Sequence, residues 1–355
     1  MNKTEFLTKI FPTYCKNNYT DTVYNNIDTI YVFGDIHGDY DLAITMFKLS
    51  NTITIENDII KWIGGKSFII QVGDQIDNCR PSKNTNCNTK IDKNDTSDDL
   101  KILQLFTYIN ELAEPYGGKV ISLLGNHEIL NSEGNLMYVS NKNLSSLNSD
   151  INKAYELRKD LFKPGNEYGK LLGCTRQACV IVNSHLFVHA GIIDTLLKQL
   201  QLNSLDDIEN INIKIRLWLL GLFPKDTLTD ILDNQQISMF WLRELGNLQS
   251  NINKNDPKCN LINNTISILN INDIIIGHTP QSFIHNKNIN STCSGRVWRV
   301  DNGSASAFDV LDHELLKTGK KHINRHPQIL KIVNNKYYLI YYNNQIIETP
   351  ILYDY

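Results

Sequence analysis

Short apolar runs recur along the chain, and each gives way abruptly to small and polar residues. TIYVF (29–33) is β-branched and aromatic, carries no charge, and runs directly into GDIHGDY. It reads as a buried strand. SFIIQV (67–72) leads into GDQID in the same way, and KVISLL (119–124) into GNHE. Further strands are predicted within ACVIVN (178–183), HLFVHAGI (185–192), DIIIGHTP (273–280) and GRVWRVDNGSA (295–305). Between these runs the period lengthens. Apolar residues at 42, 44, 46, 47 and 49 predict one helix, and LKILQLFTYINELAE (100–114) predicts another, stopped by Gly117 and Gly118. The stretch 131–175 reads as partly helical and 194–246 as helical throughout. Near the end, QILKIVNNKYYLIYY alternates about Asn334–Asn335, the pattern of a hairpin with a type I′ turn.

Strands alternating with helices predict an α/β fold with polar groups gathered at strand ends. Residues 1–27 form a helical or irregular lead-in. No internal repeat and no interdomain linker is evident, so 28–350 is expected to be a single domain. The polar stretch CRPSKNTNCNTKIDKNDTSDD (79–99) reads as a surface loop.

Composition narrows the function classes. The chain has 355 residues, 41% of them hydrophobic, enough for a sizeable core. Its 35 basic and 38 acidic residues leave a net charge of −3, so no basic field favours nucleic acid. No apolar run reaches the roughly 18 residues a membrane helix needs. The N-terminus, MNKTEFLTKIFPTYC, is too polar for the apolar segment of a signal peptide. The seven cysteines are scattered, with no CxxC. A soluble, cytoplasmic chain with reduced thiols is the expectation, with local pairing of Cys79 to Cys87 or Cys174 to Cys179 as the alternative.

The chemistry lies at the strand ends: GDIHG (34–38), GDQID (73–77), GNHE (125–128), VHAG (188–191) and GHTP (277–280). Strand tips are where open α/β sheets bind ligands. Any one of these segments read alone is a turn with an Asx hydrogen bond or a core histidine. Together, in this order, they assemble the hard oxygen and imidazole ligands that divalent ions take.

The series resembles the calcineurin-like metallophosphoesterases. More narrowly it resembles their PPP-type serine/threonine phosphatase branch, in its bacterial, Shewanella-like form, across residues 29 to about 305. The resemblance implies an α/β/β/α sandwich of two mixed sheets flanked by helices, with 131–175 and 194–246 as helical insertions capping the site. It implies two divalent ions, manganese in vitro with iron or zinc as alternatives. Asp35, His37 and Asp74 would hold one ion; Asp74, Asn126, His189 and His278 would hold the other. A water bridging the pair would attack phosphorus directly. His127, oriented by Asp77, would protonate the leaving oxygen, in keeping with an imidazole held by a carboxylate. Glu128 would support the site from behind, as would Asp301 and Gly303. His185 would lie near the ions without binding them. His313, His322 and His326 read as surface groups.

One departure stands out. The branch places an arginine directly after the second aspartate of its GDxxDRG segment. Here that position is Asn78, and the arginine comes two residues later, as Arg80. Arg80 either reaches the same phosphate oxygen or makes a surface salt bridge. Arg243, in MFWLREL, either clamps phosphate as in the family's WxR segment or is a solvated helix residue. Loop 79–99 is either a lid or a solvated insertion. The expected activity is phosphomonoester hydrolysis on a phosphorylated protein or small phosphoester, with no membrane or nucleic-acid partner. A diadenosine-tetraphosphatase-like nucleotide hydrolase is the alternative, and a pseudophosphatase scaffold the third reading.

Overall fold

The computed structural model describes residues 3–81, 86–89, 95–250, 252–312, 325–343 and 345–351. Residues 82–85 and 90–94 of loop 79–99, together with His313 and His322, lie outside the described residues. The strand-end pattern is realised as two mixed sheets. One runs β1 (Val23–Tyr24), β8 (Cys179–Val182), β9 (His185–Val188), β10 (Asp273–Ile276), β12 (Val297–Arg299) and β11 (Asn290–Thr292). The other runs β15 (Gln345–Pro350), β14 (Lys336–Asn343), β13 (Gln328–Val333), β2 (Thr29–Phe33), β5 (Phe68–Gln71), β6 (Lys119–Leu123) and β7 (Arg176–Gln177). The functional strands are parallel within each sheet: β2, β5 and β6 in one, β9 and β10 in the other. Their carboxyl ends therefore open on one side.

Period-two alternation sets the layers. Ile30, Val32, Ile70, Val72, Ile121 and Leu123 of one sheet meet Val180, Val182, Phe187, Ile275 and Trp298 of the other in the central core. The opposite faces of the same strands carry Phe33, Ile69 and Val120 on one side, and Leu186, Val188, Ile274 and Ile276 on the other. Helices cover these outer faces. After two short turns, α1 (Lys3–Glu5) and α2 (Phe11–Tyr14), the helices α3 (Tyr40–Leu49) and α4 (Asp99–Ala113) pack Met46, Phe47, Phe106 and Ile109 against the second sheet.

The inserted segments follow: α5 (Asn126–Ser132), α6 (Asn141–Leu147), α7 (Ile151–Phe162), α8 (Glu167–Thr175), α9 (Asp194–Leu200) and α10 (Leu205–Leu219). The expectation of helix throughout 194–246 is corrected: the chain leaves helix at 201–204, where Gln201 turns at φ 54°, and again after Leu219. Gly221, at φ 75°, and Pro224 stop the helix, and short turns at Lys225–Leu228, Thr229–Leu232 and Glu244–Asn247 carry the chain onward. A small hairpin, β3 (Ile53–Glu56) with β4 (Ile59–Trp62), was not foreseen; Asn57 and Asp58 turn it at positive φ. The predicted Asn334–Asn335 turn is present, both residues at positive φ as type I′ requires.

The reduced-thiol reading is corrected. Cys15 pairs with Cys174, Cys79 with Cys87, and Cys259 with Cys293. Of the two local pairings considered, only Cys79–Cys87 forms, because Cys179 points into the core from β8 and stays a free thiol. Burial pushes that thiol up to about 12. No helix among the described residues is long and apolar enough to cross a membrane.

Candidate metal centre

All five strand-end loops meet at one point, and they are locked to one another. The backbone N–H groups of Ile36 and His37 donate to the Asp74 carbonyl at 3.0 and 2.9 Å, and Gly38 donates to Gln75 at 2.9 Å. The Asp35 carboxylate accepts from the His278 N–H at 3.0 Å. His127 N–H donates to Asp74 Oδ1 at 3.0 Å. Glu128 gathers the N–H groups of Gly125, Asp74 and Gln75 at 2.7, 3.0 and 2.8 Å, fixing the loop that carries Asp74, as expected of a group behind the site.

The loops are also tightly bent. His37, Asp74, Asp77 and His278 sit at φ 46°, 54°, 71° and 64°, a left-handed region that costs a non-glycine residue on the order of 1–3 kcal/mol. Such strain persists only where the surroundings over-determine it. Two glycines permit the approach: a Cβ on Gly125 would lie 2.1 Å from Asp74 Oδ1, and one on Gly277 would lie 2.2 Å from Asp35 Oδ1.

Ligand atoms of His37, Asp74 and His127 lie within 4.8 Å of one another, and so do those of Asp74, His189 and His278. Asp74 thus stands between two clusters. His189 shows what the centre demands. Its Nδ1 must donate to the Val72 carbonyl at 2.8 Å, so Nε2 turns a lone pair towards Asn126 Oδ1 at 3.0 Å and Asp74 Oδ2 at 3.3 Å. A proton on Nε2 or a metal ion among the three atoms relieves this buried cluster: Asp74, acting against burial, raises the His189 pKa, and Asp74 and His189, with His278, form a donor set that could hold a divalent ion. His278 Nε2 likewise donates to the Trp241 carbonyl at 3.1 Å, which leaves Nδ1 as the nitrogen that could take an ion. Asp35 lies 3.8 Å from His37 Nε2.

The electrostatics point the same way. Burial, Asp301 and Asp74 push the Asp35 carboxyl well above the usual carboxylate range. Burial also raises Asp301, to about 6; its Oδ1 accepts from Gly303 N–H at 2.8 Å while Oδ2 has no partner. Burial works against the Asp74 anion too, but His189, His127 and His37 outweigh it and hold Asp74 well below the usual range. Burial holds the His37 and His278 imidazoles well below the usual range, whereas Asp74 raises His189 against burial; carboxylates and imidazoles crowded into one buried site are a donor set that suits divalent ions.

His127 belongs to the first cluster by distance, yet it is held differently. Its Nδ1 donates to Asp77 Oδ2 at 2.8 Å, and its Nε2 lies 3.8 Å from Asp74 Oδ2. Arg80 is drawn inward: Nη1 donates to the carbonyls of Asp77 and Cys79, and the guanidinium lies 4.5 Å above the Phe308 ring and 5.6 Å from Tyr138. It makes no surface ion pair among the described residues. Arg243 is exposed at the rim, donating to the His278 carbonyl at 2.9 Å. His185 is placed elsewhere, at the opposite end of β9. His326 packs against Tyr341.

Sequence reading missed Tyr138 and Phe308, whose rings contact His127 and His37 at 4.7 and 5.2 Å. It also missed Asn131, Asp99 and Arg158, all buried behind Asp77. Two signals were available. Asn131 follows His127 by four on one helix face. Arg158 interrupts the buried stripe Ala154, Arg158, Phe162 of α7, where an apolar residue would be usual.

The sequence model of the calcineurin-like phosphoesterases matches residues 29–282. An uncharacterised protein of Acanthamoeba polyphaga mimivirus is 32% identical over 66% of this chain and 96% of its own. Shewanella-like protein phosphatase 2 of Arabidopsis thaliana is 25% identical over 81% of this chain and 74% of its own. The solved structure of a cold-active protein-tyrosine phosphatase from a psychrophilic Shewanella species superposes with a TM-score of 0.64 at 20% identity, covering 93% of this chain and 83% of that one.

Proposed function

The chain belongs to the calcineurin-like phosphoesterase family, and from that premise we propose that it is a metal-dependent phosphomonoesterase acting on phosphorylated proteins. The observation that carries this reading is the convergence of buried ligand-type atoms on Asp74, with His37 and His127 on one side and His189, Asn126 and His278 on the other. Asp35, His37 and Asp74 would hold one divalent ion, and Asp74, Asn126, His189 and His278 a second. Bound there, the ions would supply Lewis acidity and an activated water.

The remaining work falls to side chains of the chain itself. Asp77 fixes the His127 ring with Nδ1–H bound, so Nε2 faces the ligand cluster and delivers a proton to the departing oxygen. Arg80, against Phe308, and Arg243, on the His278 carbonyl, bind phosphate charge. The Phe308 and Tyr138 rings, 4.5 and 5.6 Å from its guanidinium, help hold Arg80 in place. A protein substrate is favoured because relatives spanning most of the chain are named protein phosphatases.

The test is phosphate release by the manganese-loaded protein from phosphoserine and phosphotyrosine peptides, beside diadenosine tetraphosphate, compared as kcat/KM. Preference for either peptide supports the proposal. Preference for the dinucleotide moves the chain to nucleotide hydrolysis, and two bound metals without turnover would make it a scaffold.

A further inference from the structure

Behind His127 lies a closed circuit of buried polar groups that metal binding does not require. Arg158 comes from α7, in the inserted cap. Its Nη1 and Nη2 pair with both oxygens of Asp99 at 3.2 and 2.8 Å. Its Nε donates to Asn131 Oδ1 at 2.9 Å. Asn131 Nδ2 donates in turn to both oxygens of Asp77, at 3.0 Å each, and to the His127 carbonyl at 3.0 Å. Arg158 Nη2 also lies 3.6 Å from Asp77 Oδ1. That approach closes the ring back onto Asp77. Arg158, Asp77 and Asn131 are fully buried and Asp99 is 1% exposed.

The direction of every link is forced. A guanidinium can only donate, so Asn131 must present its oxygen to Arg158 and its NH₂ to Asp77. Asp77 can then only accept, and the ring nitrogen of His127 facing it must carry a hydrogen. Arg158 thereby sets the tautomer and the aim of His127 through two intermediates. Charge follows the same logic. Asp77 and Asp99 are two buried carboxylates, and Arg158 Nη2 lies 3.6 Å from the first and 2.8 Å from the second. A buried guanidinium is costly unless it is paired and hydrogen-bonded, and here three of its nitrogens are engaged.

We infer that Arg158, acting through Asn131 and Asp77, is a positioning residue for the proton-donating imidazole, so that the inserted helix α7 contributes to hydrolysis as well as covering the site. The inference rests on the reading of His127 as the proton donor. The rival role is mechanical: the Arg158–Asp99 pair merely pins α7 to α4.

Leaving-group dependence separates the two. An alkyl phosphate such as a phosphoserine peptide needs its leaving oxygen protonated, whereas p-nitrophenyl phosphate releases p-nitrophenolate, a stable anion that needs no proton. A misaimed donor should slow the first selectively, while a loosened cap should slow both alike. Arg158→Lys keeps the charge and loses the fork; Asn131→Leu leaves the Arg158–Asp99 pair, and so the attachment of α7, in place. Each is expected to lower kcat/KM on the phosphoserine peptide by about 10- to 100-fold and on p-nitrophenyl phosphate by less than about threefold, with bound metal unchanged. His127→Ala, measured alongside, should show the same selectivity at larger amplitude. If His127→Ala is selective and Asn131→Leu is not, the positioning role is wrong. If His127→Ala itself is unselective, the proton-donor reading fails first. Should Arg158→Lys not fold, Asn131→Leu alone decides.

Discussion

Two buried Asp–His pairs sit at opposite ends of the sandwich. At the loop end, His127 Nδ1 lies 2.8 Å from Asp77; at the far end, His185 Nδ1 lies 3.0 Å from Asp273. Chemically the pairs are the same. His185 and Asp273, however, are register partners at the starts of β9 and β10, and Tyr337 hydrogen-bonds to the same carboxylate. His185 precedes His189 by four residues, about 13 Å back along the strand, so it faces no ligand cluster. His127 rides on a helix start beside strained loops, and its second nitrogen faces Asp74. The pair alone does not define a role; what the other ring nitrogen faces, and what braces the carboxylate, does.

Breaking the loop end should have the largest effect. Asp35→Asn is expected to abolish turnover and lower the metal content measured by mass spectrometry; near-normal values for both would refute the ligand assignment. His127→Ala should keep the metals and lose about 10²–10⁴-fold in kcat. Loss of metal with the ring would instead make His127 a ligand, as its distance to His37 and Asp74 permits. Arg80→Ala should reduce kcat/KM by about 10- to 100-fold, the value of a charge-assisted hydrogen bond or two; an unchanged value would return Arg80 to a packing role on Phe308.

The far end should behave in the opposite way. His185→Gln is expected to leave kcat within about twofold while costing about 2 kcal/mol of stability at pH 6, the scale of a hydrogen bond to a charged group. Burial works against the His185 cation, but Asp273 more than offsets it and raises the pKa above 6.5. The pair's contribution is therefore full below pH 6.5 and is lost as pH rises through the higher folded value. Denaturant unfolding of wild type and variant should converge at alkaline pH; a constant gap would mean that packing against Tyr337, not charge, holds this end.

Much of this was legible in the chain itself. The apolar runs fixed which strands exist, their alternation fixed which side chains face the central core, and the strand-end segments named the residues that converge. Local chemistry suffices for that, because side-chain period and turn propensity depend on neighbours in sequence. Three things depended on tertiary structure. The pairing of Cys15 with Cys174 joins segments 159 residues apart. Arg80 turns inward because Phe308, far along the chain, offers it a ring. Arg158 reaches Asp77 only because α7 folds back over α5, carrying a buried charge to an anion that sequence spacing could not identify. Such contacts are set by which surfaces meet when the layers pack, and no local pattern encodes that meeting.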